Sequence, residues 1–391
     1  MRDVLLFPFA LCLVLLIRLF SVFRTVRIGF VDFARIGHSY LIDWHLSNVR
    51  FEKTKYIDLF FLGALTGKVA NQYWFSLWKD KVAYFPMVKL FPLVEKINRS
   101  MPSYQKHEIP LEYYPFKTET YLKNVISNQQ SFLAFSKNDE LNGKKALRNL
   151  GVPEGKEFIA FHCRDSAYLK KFNPGVDWSY HDFRDSSIDN YALAMMKMTK
   201  RGFANVRVGS FVKDKMKERD GLKVVDYPFS DQCSDFMDVY LGAKCRFFVG
   251  TNSGYNIVPE IFRVPTVYCN WVHFEFFPRW VLNSVFITKK IKSLETGKYL
   301  SFREIVSSGL WRFGSTADQI PPGIEYIENT SEENLSAVDE MDLRLRHEWH
   351  ETKEDLANQE RFWSVFGGMH PRSPNLRVGS VFLRENQFLL S

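Results

Sequence analysis

Phe247-Phe248-Val249-Gly250-Thr251-Asn252-Ser253-Gly254 is the stretch that decides the fold class. Its first half is a short continuous apolar run, the pattern of a strand buried on both faces. Its second half is small and polar and cannot prolong that strand. Residues 255–262 then read as a helix, and Val264-Pro265-Thr266-Val267-Tyr268-Cys269-Asn270 as another buried strand. Strand, tight turn, helix and strand form the unit of a parallel sheet covered by helices. The turn also carries chemistry. Its glycines let backbone N–H groups approach closely, its hydroxyls donate, and a helix N-terminus favours negative charge. Thr251, Asn252, Ser253 and Gly254 are therefore expected to hold an anion, such as the phosphate of a ligand.

The pattern extends in both directions. Upstream, residues 157–163, 205–209, 222–225 and 245–249 read as strands, with helices expected over 187–201 and 234–243. A separate block begins with a buried strand over 25–33, a turn over 34–39 and a helix to about residue 48. Strands over 56–62 and 82–86 follow, with a helix over 65–78 between them. Residues 100–130 are rich in Pro and Tyr and are expected to form a mobile loop with helices. From about Trp311 the chain turns polar and helical. The expected architecture is α/β, with two Rossmann-like domains facing a cleft, an apolar N-terminal helix over 1–23, domains over 24–150 and 151–290, and a helical extension over 291–391. A length of 391 residues suits two cores better than one.

Composition narrows the classes. The 46% apolar content belongs to a folded protein, and the 36 Phe, 17 Tyr and 9 Trp suit sugar rings or a membrane interface as well as a core. The net charge of +8 is spread without a basic stripe, which favours an anionic ligand or membrane surface over nucleic acid. Five cysteines without metal spacing read as reduced thiols, mostly buried. Asn98-Arg-Ser and Asn329-Thr-Ser match a glycosylation sequon, a tripeptide common by chance. At the N-terminus, Val4–Leu16 is almost wholly apolar, with Arg18, Arg24 and Arg27 close behind. Three readings compete: a signal peptide, for which no cleavage site is visible; a membrane anchor that spans or lies at the interface; and a buried helix of the first domain. An anchor with this basic flank would leave the body at the cytoplasmic face of a membrane; otherwise the chain is expected in the cytoplasm.

Candidate residues cluster at strand ends, where ligands bind in open α/β sheets. His162-Cys163-Arg164-Asp165 follows one strand. Arg164 is suited to a diphosphate through paired, charge-assisted bonds or, in the bland reading, pairs with a nearby carboxylate. His162 is read equally as a phosphate donor or a satisfied structural imidazole. Arg184 adds positive charge to the same edge or is a solvated loop arginine. Arg207, inside a strand, needs an anionic partner, either ligand or Asp235/Asp238; those two carboxylates read as helix surface. Glu260 is placed to reach a sugar hydroxyl or simply to pack. In the first block, Arg35-Ile36-Gly37-His38 follows the first strand. Gly37 allows close approach to a ligand there, and His38 is a candidate general base or an ordinary loop histidine. The motifs of P-loop enzymes, dinucleotide-binding folds, zinc proteases and serine hydrolases are missing from the sequence. No Asp-x-Asp stands at a strand end, so no metal is expected.

Taken in order, Arg35–His38, Phe161–Asp165, Arg184–Tyr191, Val206–Gly209, Asp226-Tyr227, Gly250–Gly254 with Pro265 and Asn270, and Ile324–Thr330 resemble a family of bacterial glycosyltransferases of the two-domain GT-B type. The resemblance spans most of residues 25–385. His162-Cys163-Arg164 also looks like the diphosphate-binding His-x-Arg motif of fucosyltransferase-like enzymes. The resemblance implies that residues 151–290 hold a nucleotide-sugar donor and residues 24–150 a saccharide or lipid-linked acceptor, with no cofactor and no metal. It places Arg164, Ser253 and Gly254 against the donor diphosphate, and implies a role in surface-polysaccharide or glycolipid assembly. A nucleotide-sugar 2-epimerase on the same fold, and a non-catalytic carbohydrate- or membrane-binding protein, stay open as alternatives.

Overall fold

The computed structural model describes residues 2–49, 56–111, 119–128, 130–172, 175, 177–275, 277–312, 323–367 and 376–391. Part of the loop expected over 100–130, and residues 313–322 of the polar region, lie outside the described residues. The chain divides into two units, Met1–Ala134 and Phe135–Ser391.

Unit 1 holds three parallel strands in the order β1 (Thr25–Asp32), β2 (Tyr56–Gly63) and β3 (Tyr84–Phe85). Its helices are α1 (Arg2–Phe20), α2 (Tyr40–Val49), α3 (Gln72–Lys79), α4 (Phe91–Arg99) and α5 (Glu119–Ser127). Asn71 starts α3 by accepting from the Trp74 amide at 2.7 Å. Val26, Ile28, Phe61, Leu90, Val94 and Ile97 form one core with Ala10, Val14 and Ile17 of α1. Beside it, Asp58 accepts from Arg27 at 2.6 Å and meets His45 at 2.9 Å. Burial alone would raise the Asp58 carboxyl, but these two partners outweigh it and hold its pKa at about 2.

The packed face of α1 changes the reading of the N-terminus. Ala10, Val14 and Ile17 are buried against unit 1, so lipid cannot surround the helix. Among the described residues no helix is long and apolar enough to cross a membrane. The spanning form of the anchor is therefore withdrawn. α1 is also only half a core helix, because its other face is exposed.

Unit 2 is built on seven strands, β4 (Phe158–Phe161), β5 (Ala204–Arg207), β6 (Val225–Asp226), β7 (Phe248–Gly250), β8 (Thr266–Trp271), β9 (Ser284–Thr288) and β12 (Leu376–Val378). Every pairing is parallel, in the order β12-β9-β8-β7-β4-β5-β6. The chain thus grows outward from β4 to β6, then returns to the other side of β4 as β7. A separate antiparallel pair joins β10 (Lys290–Ser293) to β11 (Ile324–Ile327). The helices are α6 (Lys137–Asn149), α7 (Ala167–Phe172), α8 (Ala192–Lys200), α9 (Asp235–Lys244), α10 (Ile257–Ile261), α11 (Phe302–Ser307), α12 (Ser331–Leu345), α13 (Lys353–Phe366) and α14 (Ser380–Glu385).

Unit 2 begins before the expected boundary at residue 150, because α6 belongs to it. Gly143 of α6 meets the Tyr240 ring of α9 so closely that a Cβ there would stand 2.2 Å from it. The stretch 291–391 is not an appended helical tail. It supplies the edge strand β12, and Val338, Met341, Phe362 and Phe366 share a core with β8 and β9. Both sequon asparagines are buried: Asn98 lies within α4, and Asn329 bonds reciprocally with Asn270 at 2.6 and 2.7 Å. Cys163, Cys245 and Cys269 are buried free thiols.

Asp238, read from sequence as a surface carboxylate, is buried in α9 and accepts from the Tyr227 hydroxyl at 2.8 Å. Burial raises its pKa to about 7, against the pull of that hydrogen bond. The native state therefore keeps a proton that the unfolded chain releases near pH 4, so stability from this group falls as pH rises from about 4 to 7. Asp238→Asn should flatten that part of the stability–pH profile in denaturant titrations. An unchanged slope would show that Asp238 is ionised in the fold.

Candidate anion site at the strand-order reversal

The sheet order reverses between β4 and β7, and the loops leaving their carboxyl ends stand where ligands usually bind in such sheets. Those two loops are His162–Asp165 and Thr251–Gly254. They are tied together: the His162 amide donates to the Val249 carbonyl at 2.8 Å, and the Arg164 amide donates to Thr251 Oγ1 at 2.9 Å. Gly250 makes the turn because a Cβ there would lie 2.3 Å from the Phe248 ring and 2.9 Å from Asn256 Oδ1. Asn256 in turn donates to the Thr251 carbonyl at 2.6 Å, and Thr251 is fully buried.

Arg164 is the charged centre of this edge. Its side chain is 8% exposed; Nη1 donates to the His181 carbonyl at 2.9 Å and to Asp185 Oδ1. Nη2 is buried without a hydrogen-bond partner among the described residues. Desolvation lowers the guanidinium pKa, and the neighbouring acids Asp182 and Asp165 oppose that shift. His162 is buried, stacked on Tyr255 with ring centres 5.2 Å apart. Desolvation first, then Arg207 and Arg164, depress its pKa to about 3, so the imidazole is neutral. Its Nδ1 is buried without a hydrogen-bond partner among the described residues.

Further cations converge on the same segment. Arg184 closes the short helical turn Ser179–Arg184 and helps, after desolvation, to depress His273 to about 3. Lys289, directly after β9, is 3% exposed and donates to the Asp185 carbonyl at 2.6 Å. Desolvation lowers its pKa to about 8, with Glu328 opposing and Arg164 adding to the shift. Sequence reasoning missed Lys289. It stands in Thr-Lys-Lys after an apolar strand, and only the sheet order carries it to the Arg164 edge. Glu328 itself accepts from the Ser187 amide and the Asn190 side chain, both at 3.0 Å.

The remaining candidates fall into distinct settings. Ser253 starts a helical turn, Gly254–Asn256, by accepting from the Tyr255 amide at 3.3 Å, and Gly254 is exposed. The α-helix that follows has only five residues, so its dipole is small and charge attraction here comes mainly from side chains. Asn252 accepts from the Val272 amide at 3.4 Å. Glu260 is buried, with Tyr268 donating to Oε1 at 2.6 Å and Trp280 to Oε2 at 2.9 Å. Arg207 pairs with Asp226 of the next strand at 3.2 Å, not with Asp235 or Asp238. In unit 1, Arg35, Gly37 and His38 lie just beyond the carboxyl end of β1, where Ile36–Ser39 forms one helical turn. His38 is part-buried; desolvation and Arg35 lower its pKa, while Asp32 opposes them. Among the described residues no group of three His, Cys, Asp or Glu is placed to hold a metal ion.

Neither a protein-family profile nor a curated protein sequence matches the chain. Solved structures similar to it include a glycosyl transferase of family 9 from Veillonella parvula, at 11% identity over 82% of this chain and 97% of that one, with a TM-score of 0.47. The E. coli ADP-heptose LPS heptosyltransferase II is 14% identical over 62% of this chain and 84% of its own, with a TM-score of 0.35. The dodecameric iron-containing heptosyltransferase TibC in complex with ADP-D-β-D-heptose is 13% identical over 83% and 76%, with a TM-score of 0.37. Likeness at this level carries no argument about the site, which rests on its own geometry.

The tie between the two loops has a measurable consequence. Thr251→Val keeps the shape but leaves the buried Arg164 amide unbonded, at a cost of about 1–3 kcal/mol. Thr251→Ser keeps the acceptor and should recover most of that loss in denaturant titrations. Equal losses for Val and Ser would show that the hydroxyl does not join the loops.

Proposed function

We propose that unit 2 binds the diphosphate of a nucleotide sugar and that the chain is a metal-independent glycosyltransferase of GT-B type. Its acceptor is a saccharide or glycolipid in surface-polysaccharide assembly. The observation that carries this reading is Arg164: a buried guanidinium at the strand-order reversal, with one edge unbonded among the described residues and Lys289 and Arg184 nearby. Such cations match the charge that develops on a departing diphosphate. The order of motifs, which resembles that of GT-B glycosyltransferases, supports the sugar. Asn252, Ser253 and Gly254 contribute polar contacts at the same edge, whereas Thr251, fully buried and expected from sequence to touch the ligand, instead fixes the Arg164 loop. His162, being neutral, adds a hydrogen-bonding group without a further charge, and Glu260 acts from beneath by fixing Tyr268 and Trp280.

The reaction follows from these roles. An acceptor hydroxyl attacks the anomeric carbon, the bond from that carbon to the diphosphate oxygen breaks, and the leaving nucleoside diphosphate takes the electron pair. Arg164 and Lys289 stabilise it. In an inverting reaction the acceptor proton goes to His38, which Arg35 and Gly37 help to place in unit 1. Its lowered pKa keeps it unprotonated at neutral pH and fit to act as a base.

Thermal-shift titration with UDP, GDP, ADP, dTDP and CMP should find one strong ligand, and Arg164→Ala should weaken it by about tenfold or more. A panel without any shift would favour a non-catalytic carbohydrate-binding protein. Sugar products formed without acceptor would favour an epimerase. Lys289 gives a pH test: above pH of about 8 it is largely neutral, so anion binding requires proton uptake and affinity falls. Lys289→Arg should remove that decline, and a decline that persists would assign it to another group. His38→Gln should lower turnover far more than donor affinity. In the native enzyme the acid limb of the turnover profile should lie below pH 6.5, the ordinary value for His.

A further inference from the structure

The outward face of α1 has no part in the catalytic reading. A helix on the surface of a soluble domain ordinarily turns apolar residues inward and polar ones outward. α1 is apolar on both sides. Ala10, Val14 and Ile17 pack into unit 1, whereas Leu5, Phe9, Leu16 and Phe20 are 73%, 67%, 47% and 61% exposed. At 100° per residue those four fall in a single narrow line down the helix. Leu15 and Leu19 widen the line, and Val22 and Phe23 prolong it beyond the helix end; all four are exposed. From Leu5 to Phe20 the stripe runs about 23 Å along the helix. Apolar patches of this extent mark an interaction surface.

The charges around the stripe select the partner. Residues 4–31 contain no Asp or Glu, and Arg24 is exposed beside Phe23 at the end of the stripe. Arg18, the only charged residue between Val4 and Phe20, is turned away from the stripe. It donates to the Pro102 carbonyl at 2.9 Å and to Asn98 Oδ1 at 3.0 Å. Lys89, in the turn before α4, and Lys96, on α4, are exposed elsewhere on unit 1, and α4 packs directly on α1. The result is an acid-free apolar ridge whose basic rim is Arg24 at its end, on a chain of net charge +8. That combination matches an anionic bilayer, whose acyl region takes the ridge and whose headgroups take the rim.

We propose that α1 docks the protein in the plane of an anionic membrane, with Leu5, Phe9, Leu16 and Phe20 immersed at the boundary between headgroups and acyl chains. This goes beyond the catalytic reading and stands without it. The helix neither crosses the bilayer nor leaves unit 1, since its inner face stays in the core.

The test is co-sedimentation of the full chain with vesicles of phosphatidylcholine alone or mixed with phosphatidylglycerol. Binding should be stronger to the anionic vesicles and weaken with salt. The quadruple variant Leu5→Glu, Phe9→Glu, Leu16→Glu, Phe20→Glu should bind at least about tenfold less while keeping the native circular dichroism. Because that variant alters four positions, single Trp probes at Phe9, Leu16 and Phe20 supply a second measurement. Bromolipid quenching should place all three at one shallow depth. Depths that differ along the helix would overturn the in-plane arrangement. So would absence of vesicle binding by the native chain. A native dimer in light scattering that the quadruple variant converts to monomer, without vesicle binding, would assign the ridge to a second copy instead.

Discussion

A guanidinium buried at the end of a parallel sheet must be compensated, and much of the unit 2 site follows from how Arg164 is. Removing an arginine from water costs several kcal/mol unless charge and hydrogen bonds replace the lost hydration. Asp185 supplies the charge, the His181 carbonyl supplies one acceptor, and Thr251 holds the arginine's own amide so that the side chain leaves the loop in a fixed direction. The segment 181–185 is thereby pinned over the ends of β4 and β7. Lys289 pins it again from β9 through the Asp185 carbonyl. The two loops and the helical turn form one cooperative piece because they share these bonds.

The parts that were legible in the sequence are those whose signal is local. β4, β7 and β8 are continuous apolar runs bounded by turn residues, and the Gly250 turn is dictated by close packing around a missing Cβ. What escaped depends on tertiary placement. β12 is three residues long and takes its identity from pairing with β9, so no periodicity could show that the C-terminal stretch completes the sheet. α6 reads as part of whichever unit it packs on, and only the contact of Gly143 with Tyr240 decides. Arg207 needed an acid, but its partner Asp226 sits on a neighbouring strand rather than on the nearby-looking α9. Asp238 looks like any helix carboxylate until its burial against Tyr227 is known.

α1 shows the same limit in another form. An uninterrupted apolar stretch has no polar face from which an orientation could be read, so spanning, interfacial and buried readings look alike along the chain. Packing breaks the symmetry. Once Ala10, Val14 and Ile17 are committed to the core of unit 1, the opposite residues are fixed outward, and the two Arg beside them are sorted: Arg18 to the protein, Arg24 to the rim.

The electrostatics of the Arg164 edge carry one more consequence. Arg164, Arg184 and Lys289 are already opposed by Asp165, Asp182, Asp185 and Glu328, whereas a diphosphate adds negative charge. His162 cannot make up the difference, since desolvation and two arginines keep it neutral. On the proposed nucleotide-sugar reading, an arriving diphosphate would compete with Asp185 for the guanidinium. Nη2 is enclosed, so reaching it requires the guanidinium to turn or the 181–185 segment to shift. In that reading Asp185 stands where a phosphate oxygen would bind. It keeps the arginine charged and oriented, and it sets the free energy a ligand must exceed to displace it. An anion that offers two oxygens to the planar fork has the advantage over a single carboxylate oxygen held by one nitrogen, and this geometric difference favours a diphosphate over a lone carboxylate.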